Sequence, residues 1–419
     1  MKNVGVGLSD VGQKRTQNED YLLIRPDLGL YLVADGMGGH AAGEVASRLA
    51  AETVARCIEE EKAMLDAFED SEAAREQLQA LVRRAIEQAS RAVYEHATSH
   101  EGKAGMGTTL SMLLLVKDKA VMGHVGDSRI YLLRAKTLHQ LSDDHSYVGE
   151  LVRRGLLSPE EAEQSPYANV ITRAVGIQES VQADTLCFDL LPNDVFLLCS
   201  DGLTRHVHAE DELQEMLGNR RLVELPQLLV DLANARGGRD NITVLVMRIP
   251  RGEDTQKEER RTTEVNLRVD TLREISLFRH LTMRELLAVM EILRIETFAR
   301  GKRVMTEGEI SDSLYVVLSG RLEVTRHGSH LAELGVGTHF GEMALLNQRP
   351  RAATVVAKEA ARLLVMDRTN FNELVRRNPT LGVKFLWTFA QVLSLRLDEA
   401  TLGLSREDPN FADMPFRLP

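Results

Sequence analysis

From Val4 to about Ile249 the chain repeats one device: a short run of Val, Ile and Leu that breaks off at an Asp-Gly or Gly-Asp pair. Runs of that length, bounded by turn formers, predict β-strands. Two stretches differ. Ala42 to Glu60 and Glu72 to Ala97 are rich in Ala, Glu and Arg, with apolar residues three and four apart, so each predicts a helix lying on a sheet. Four acidic residues stand at the edges of the apolar runs: Asp35 after LYLVA, Asp127 after VMGHVG, Asp201 after VFLLCS and Asp240 just before NITVLVMRI. A strand end is rigid, and carboxylates brought together from separate strands repel one another until a cation relieves them. Oxygen-only ligands select hard ions such as magnesium or manganese. A single Asp-Gly predicts only a hairpin turn; the set predicts a metal centre.

The pattern stops at Gly252 to Glu264, GEDTQKEERRTTE, which has no apolar residue and reads as a solvated, charged linker. A chain of 419 residues accommodates two or three domains, and the expected division is residues 1–250, a linker at 251–268, a second domain at 269–400 and a tail at 401–419. Beyond a helical lead-in around Thr271 to Ile295, the segment Phe298 to Met366 returns to short strands punctuated by Gly, and Pro379 to Ala400 predicts a closing amphipathic helix. The second domain therefore reads as a small barrel with helices at both ends. The expected fold class is α+β: a central β-sandwich flanked by helices, followed by a β-barrel or jelly roll with flanking helices.

Composition excludes several functions. With 43% hydrophobic and 27% charged residues, and no apolar run of bilayer length, a globular chain without membrane spans is expected. The opening MKNVGVGLSDVG lacks the basic and apolar regions of a secretory signal, so a cytoplasmic location is expected. Cys57, Cys187 and Cys199 form no CxxC pair and predict neither a disulfide framework nor a thiolate zinc site. A formal charge of -11 argues against nucleic acid as a partner.

The motifs SDVGQKRTQNEDY, VADGMGGHAAGEVAS, GMGTTL, GHVGDSRIYLL, SDDHS, CSDGLT and GGRDNITVLV follow one another in this order over residues 1–249. In them the chain resembles the metal-dependent, type 2C family of serine/threonine phosphatases. The resemblance implies a β-sandwich with a metal cluster at one end. Asp35, Asp201 and Asp240, with the carbonyl of Gly36, would hold two magnesium or manganese ions, Glu19 and Asp20 would support them, and Asp127 with Asp201 would hold a third. Arg15 matches the family's phosphate-binding arginine, whose planar fork suits a phosphate as Lys would not. The chemistry implied is attack by a metal-activated water, without a protein nucleophile, on phosphorylated proteins such as kinases or their substrates. Some members carry a histidine directly after the first Asp-Gly; Met37 stands there, leaving His40 or a water as the acid for the leaving group. Leu141 to Gly176 resembles the family's flap beside the site.

Residues 340–354, FGEMALLNQRPRAAT, offer a glycine for close backbone approach, a carboxylate, an apolar turn and an arginine nine residues beyond the glutamate. An arginine and turn N–H groups suit a cyclic phosphodiester, and a glutamate can accept from a ribose hydroxyl. The run resembles the phosphate cassette of cyclic-nucleotide-binding domains, over about residues 269–400. By that likeness Arg351 binds the cyclic phosphate, Glu342 the ribose 2′-hydroxyl, and Gly341, Ala344 and Ala353 line the pocket. Ala352 stands where guanine-selective members often carry a hydroxyl, which favours cyclic AMP over cyclic GMP. Trp387 sits on the closing helix and is expected in the core, with stacking on the base as the other reading. Rival readings are a phosphatase with a ligand-free docking or dimerisation barrel, a phosphoprotein-binding pseudophosphatase, and a transcription regulator. The last requires a helix-turn-helix that residues 401–419 are too few to form.

Overall fold

The computed structural model describes residues 4–38, 42–100, 105–207, 210–252, 254–275, 277–346, 349–391 and 394. The chain divides into two compact units, Met1–Val265 and Asn266–Pro419. Among the described residues no helix is long and apolar enough to cross a membrane.

The first unit contains strands β1 (Val4–Asp10), β2 (Asp20–Arg25), β3 (Leu30–Met37), β4 (Gly107–Thr108), β5 (Leu110–Val116), β6 (Lys119–Val125), β7 (Arg129–Arg134), β8 (Thr137–Gln140), β9 (Asp184–Asp189), β10 (Val195–Cys199) and β11 (Ile242–Arg248). Between them lie helices α1 (Ala42–Glu60), α2 (Lys62–Asp66), α3 (Glu72–Ser99), α4 (Tyr147–Arg153), α5 (Pro159–Glu163), α6 (Asp201–Thr204), α7 (Glu210–Asn219) and α8 (Leu225–Ala235). The strands form two antiparallel sheets, β1-β11-β10-β7-β8 and β2-β3-β5-β6-β9, with β4 beside β3. They stack with β1 and β11 over β2 and β3; α1 and α3 cover one outer face, α7 and α8 the other.

This layering explains why the apolar runs are unbroken. A strand sends alternate side chains to opposite faces. In β3, Leu30, Leu32 and Ala34 enter the core under α1 and α3, while Tyr31 and Val33, equally buried, face the other way. In β11, Ile242, Val244 and Val246 pack under α7 and α8, and Leu245 and Met247 are buried on the opposite face. Both faces of each sheet are covered, so period-two alternation of apolar and polar residues is lost.

The second unit begins within α9 (Thr255–Glu274). The solvated linker expected at residues 252–264 is helical from Thr255 onward. The apolar seam that fixes this helix, Val265, Val269 and Leu272, begins only at its middle, and all three are buried. In its first half Arg261 donates to the Asp118 carbonyl at 2.6 Å and pairs with Asp189 at 3.3 Å. Then follow α10 (Met283–Glu291), β12 (Arg294–Phe298), β13 (Arg303–Met305), β14 (Ser313–Ser319), β15 (Leu322–Arg326), β16 (Ser329–Leu334), β17 (His339–Phe340), α11 (Met343–Leu346), β18 (Thr354–Ala357), β19 (Ala361–Asp367) and α12 (Arg368–Arg377). Two four-stranded antiparallel sheets, β12-β19-β14-β17 and β13-β18-β15-β16, make a jelly roll. Along β14, Tyr315 and Val317 fill the roll, whereas Leu314, Val316 and Leu318 share a core with Leu272 of α9, Phe278 of the turn that follows it and Phe385.

Residues 379–391 are helical; most of the remaining closing helix and the tail at 401–419 lie outside the described residues. Trp387, expected in the core, is 67% exposed. The buried stripe of this helix is Leu381, Phe385 and Phe389, spaced by four, and Trp387 falls between its turns.

Candidate active site and nucleotide cassette

The acidic residues of the first unit are carried by adjoining strand ends. Asp20 opens β2 directly opposite Asp35 near the end of β3. Asp35 is held through its backbone, its N–H donating to the Thr109 hydroxyl and its carbonyl accepting from Thr109 N–H, both at 2.9 Å. Gly36 follows because nothing larger fits: a Cβ there would lie 2.1 Å from the Gly43 carbonyl oxygen. Asp201 begins α6 at the end of β10, and Gly202 has no room either, since its Cβ would meet the Asn241 carbonyl at 1.9 Å. Asp240 precedes β11 and accepts from Arg15 at 2.9 Å. Asp127 follows Gly126, whose φ of 109° a side chain would rarely adopt. Glu19 accepts from Gly43 N–H at 3.3 Å near the start of α1.

Asp20, Asp127 and Asp201 are each less than a tenth exposed, yet an oxygen of each (Oδ1) has no hydrogen-bond partner. Burial pushes the Asp20 carboxyl up to about 7, and the charges of Asp201 and Asp240 push the same way, against hydrogen bonds from Thr243 and Ser200. Asp127 is pushed up to about 8 by burial and then by Asp201 and Asp144. Asp35 rises well above the carboxylate range through burial and the charges of Asp20, Asp201, Asp127 and Asp240. Asp201 is raised by burial and Asp240, against the pull of Arg205. Among the described residues no three His, Cys, Asp or Glu side chains form a closed metal-ligand set. The counter-charges of the cluster are Arg15, which meets Asp240, and Arg205, which meets Asp201. The donor set nevertheless fits a hard divalent cation: oxygen only, rigidly mounted, with unpartnered buried oxygens that need positive charge.

Arg15 is half-exposed beside Asp240, with a guanidinium raised by Asp240, Glu19 and Asp35 against the opposing effect of burial. Its loop is fastened by Asn241, which donates to the Val11 and Gln17 carbonyls at 3.0 and 2.9 Å and accepts from Glu19 N–H at 2.8 Å. Sequence reasoning missed Asn241 and also Arg205, one helical turn after Asp201, which contacts the Asp201 carboxylate. The i,i+4 spacing of Asp201 and Arg205 is the signal that reveals the pair. Met37 lies half-buried at the end of β3, and His40 falls outside the described residues. The expected flap, residues 141–176, is tied to the Asp127 turn: His145 N–H donates to the Gly126 carbonyl at 2.7 Å, and Arg129 grips Asp144 at 2.8 Å.

In the second unit Gly341 has φ 80°, and a Cβ there would meet Arg351 Nη1 at 2.6 Å. Arg351 is buried and donates to the carbonyls of Gly341 and Ser313 at 3.2 and 2.6 Å and to the Ser311 hydroxyl at 2.7 Å. Its guanidinium lies 5.9 Å from the centre of the Tyr315 ring, which stacks on Phe340. Its Nε has no partner, and burial lowers its pKa despite Tyr315, Asp312 and Glu342. Glu342 and Ala344 are buried on either side of the first residue of α11, Ala353 is half-buried and Ala352 is exposed.

Residues 12–233 match the family Protein phosphatase 2C, and residues 295–378 match the Cyclic nucleotide-binding domain. The chain is 39% identical over 243 residues to the serine/threonine phosphatase stp of Listeria welshimeri, an alignment covering 57% of this chain and 93% of that protein. The Mycobacterium tuberculosis serine/threonine phosphatase PstP/Ppp is similar in structure, with TM-score 0.53, 34% identity, and coverage of 59% of this chain and 99% of that one. So is the PstP catalytic domain in complex with two manganese ions, with TM-score 0.52, 33% identity and coverage of 59% and 99%. The chain therefore belongs to the protein phosphatase 2C family of metal-dependent serine/threonine phosphatases and carries, in its second part, a domain of the cyclic-nucleotide-binding family.

Proposed function

We propose that the protein hydrolyses phosphoserine and phosphothreonine in partner proteins at the Asp35–Asp201–Asp240 cluster, and that a cyclic nucleotide bound at Glu342 and Arg351 regulates this activity. The observation that carries the first part is the set of buried carboxylates with unpartnered oxygens beside a half-exposed arginine. Asp35, Asp201, Asp240 and the Gly36 carbonyl would hold two magnesium or manganese ions, with Glu19 and Asp20 behind them and Asp127 with Asp201 at a third. Such ions, when bound, acidify water and neutralise a phosphoryl group.

The protein's own groups do the positioning. Arg15, fixed through the Asn241-fastened loop, receives two phosphate oxygens with its planar fork. The Gly36 and Gly202 contacts keep Asp35 and Asp201 rigidly placed. The cysteines offer no nucleophile to the site: Cys57, Cys187 and Cys199 are all buried, and burial pushes the Cys57 thiol up and the Cys199 thiol up to about 12. The water gives up a proton to solvent as its oxygen forms the new P–O bond, the bond to the serine or threonine oxygen breaks, and the leaving oxygen takes a proton from solvent, Met37 having none to give.

The regulatory part rests on Arg351, a buried cation that donates to two carbonyls and a hydroxyl and whose Nε is unpartnered. A desolvated guanidinium of this kind favours an anion. A cyclic phosphate at Arg351 and a ribose hydroxyl at Glu342 fit the chemistry of the pair, with cyclic AMP preferred since Ala352 offers a guanine no hydroxyl. Phosphopeptide turnover in manganese, with and without cyclic AMP, tests both parts. Turnover that survives chelation overturns the first; the absence of nucleotide binding at millimolar concentration overturns the second.

A further inference from the structure

Arg205 is the residue of the cluster that the catalytic account does not use. It follows α6, so its chain reaches back one turn and contacts Asp201 Oδ2, and its Nη1 lies 3.8 Å from Asp240 Oδ2. Arg15 takes the same Asp240 oxygen from another direction at 2.9 Å. Arg15 belongs to a loop fastened by Asn241, whereas Arg205 follows α6 and meets Asp201 from its own helical turn. Its charge also acts on Asp127. One guanidinium thus reaches two carboxylates proposed to bind metal, Asp201 and Asp240, and its charge acts on a third, Asp127; Asp127 and Asp201 each retain a buried oxygen without a partner.

We infer that Arg205 is a built-in counter-ion of the cluster, which competes with divalent cations for Asp201 and Asp240 and so sets how much metal the site requires. This rests on the reading of those aspartates as metal ligands. A divalent ion entering the cluster must take Asp201 Oδ2 from the guanidinium and then bind with that positive charge still close by; both effects weaken metal binding. A loaded metal site releases Arg205 toward solvent, while the metal-free protein keeps a charge that limits carboxylate repulsion.

The test is isothermal titration of the metal-free full chain with Mn2+ at neutral pH. Wild type is compared with Arg205→Ala, Arg205→Lys and Asp201→Asn, and thermal melts are recorded in chelator and in saturating Mn2+. Arg205→Ala is expected to bind Mn2+ about ten-fold more tightly than wild type, the factor corresponding to about 1.4 kcal/mol. Arg205→Lys should fall between them, because it keeps the charge without a fork that reaches two carboxylates. In chelator the Ala variant should melt below wild type, and Mn2+ should raise its melting temperature by more, as tighter binding to the native state requires. Should Arg205→Ala misfold by circular dichroism, Arg205→Gln, which drops only the charge, carries the same prediction. Superimposed isotherms for wild type and the neutral variant, or weaker binding by that variant, overturn the inference alone. Failure of wild type to bind Mn2+, or binding by Asp201→Asn equal to wild type, overturns the ligand assignment and the inference with it.

Discussion

Asp201 is the residue on which most of the proposed site converges: it faces Arg205, shares the cluster with Asp35 and Asp240, and keeps one oxygen unpartnered. Asp201→Asn removes a charge with little change of shape, so the fold should persist while manganese-dependent phosphopeptide turnover falls by orders of magnitude. Turnover equal to wild type, with an unchanged circular dichroism spectrum, would remove Asp201 from the mechanism. The same charges set a pH dependence. Asp20 and Asp127, raised to about 7 and about 8, hold protons in the folded state that the unfolded chain has already lost. The native state binds more protons between the ordinary carboxylate range and those values, so stability falls as pH rises through that window. In chelator the melting temperature should therefore drop from about pH 5 to pH 8, and saturating manganese should flatten that slope; an equal slope with and without metal would refute the coupling. The strand-end aspartates were legible because a carboxylate closing an apolar run is visible in one dimension. Arg205 and Asn241 were not, since their roles depend on a helical turn after Asp201 and on a loop that returns to β11 from more than two hundred residues away.

At the scale of elements, helix α9 shows where sequence reading ran out. Its first half is so densely charged that it reads as solvent-facing linker, and the seam Val265, Val269, Leu272 emerges only when the helix is taken whole. Leu272 is fully buried in the second unit's core, so Leu272→Ala should lower the unfolding free energy by about 2–5 kcal/mol in a denaturant titration. The exposed neighbour Asp270 should tolerate alanine within about 0.5 kcal/mol. Equal effects of the two would contradict the helical seam. Trp387 was misplaced for a related reason: being aromatic on an amphipathic helix predicts burial, but only phase decides it, and Leu381, Phe385 and Phe389 occupy the inward phase. The strands of both units were legible because turn-forming Asp and Gly mark their ends, even where burial of both faces removes the alternation.

For the whole molecule, one chain joins a family of metal-dependent phosphatases to a cyclic-nucleotide-binding fold, and each unit has its own core. Under the proposed regulation, nucleotide would change turnover only by as much as it prefers one state of the protein over another, for allosteric systems typically about 1–3 kcal/mol, or roughly 5- to 150-fold. Arg351→Ala removes the buried counter-charge of the proposed cyclic phosphate and should weaken cyclic AMP binding by about 2–5 kcal/mol, measured by calorimetry. The most direct test is phosphopeptide turnover in saturating manganese, recorded against increasing cyclic AMP for wild type and Arg351→Ala side by side. The account predicts a saturable change in wild-type turnover within that 5- to 150-fold range, and a flat line for the variant over the same concentrations. A flat line for wild type, or identical curves for the two proteins, would contradict it.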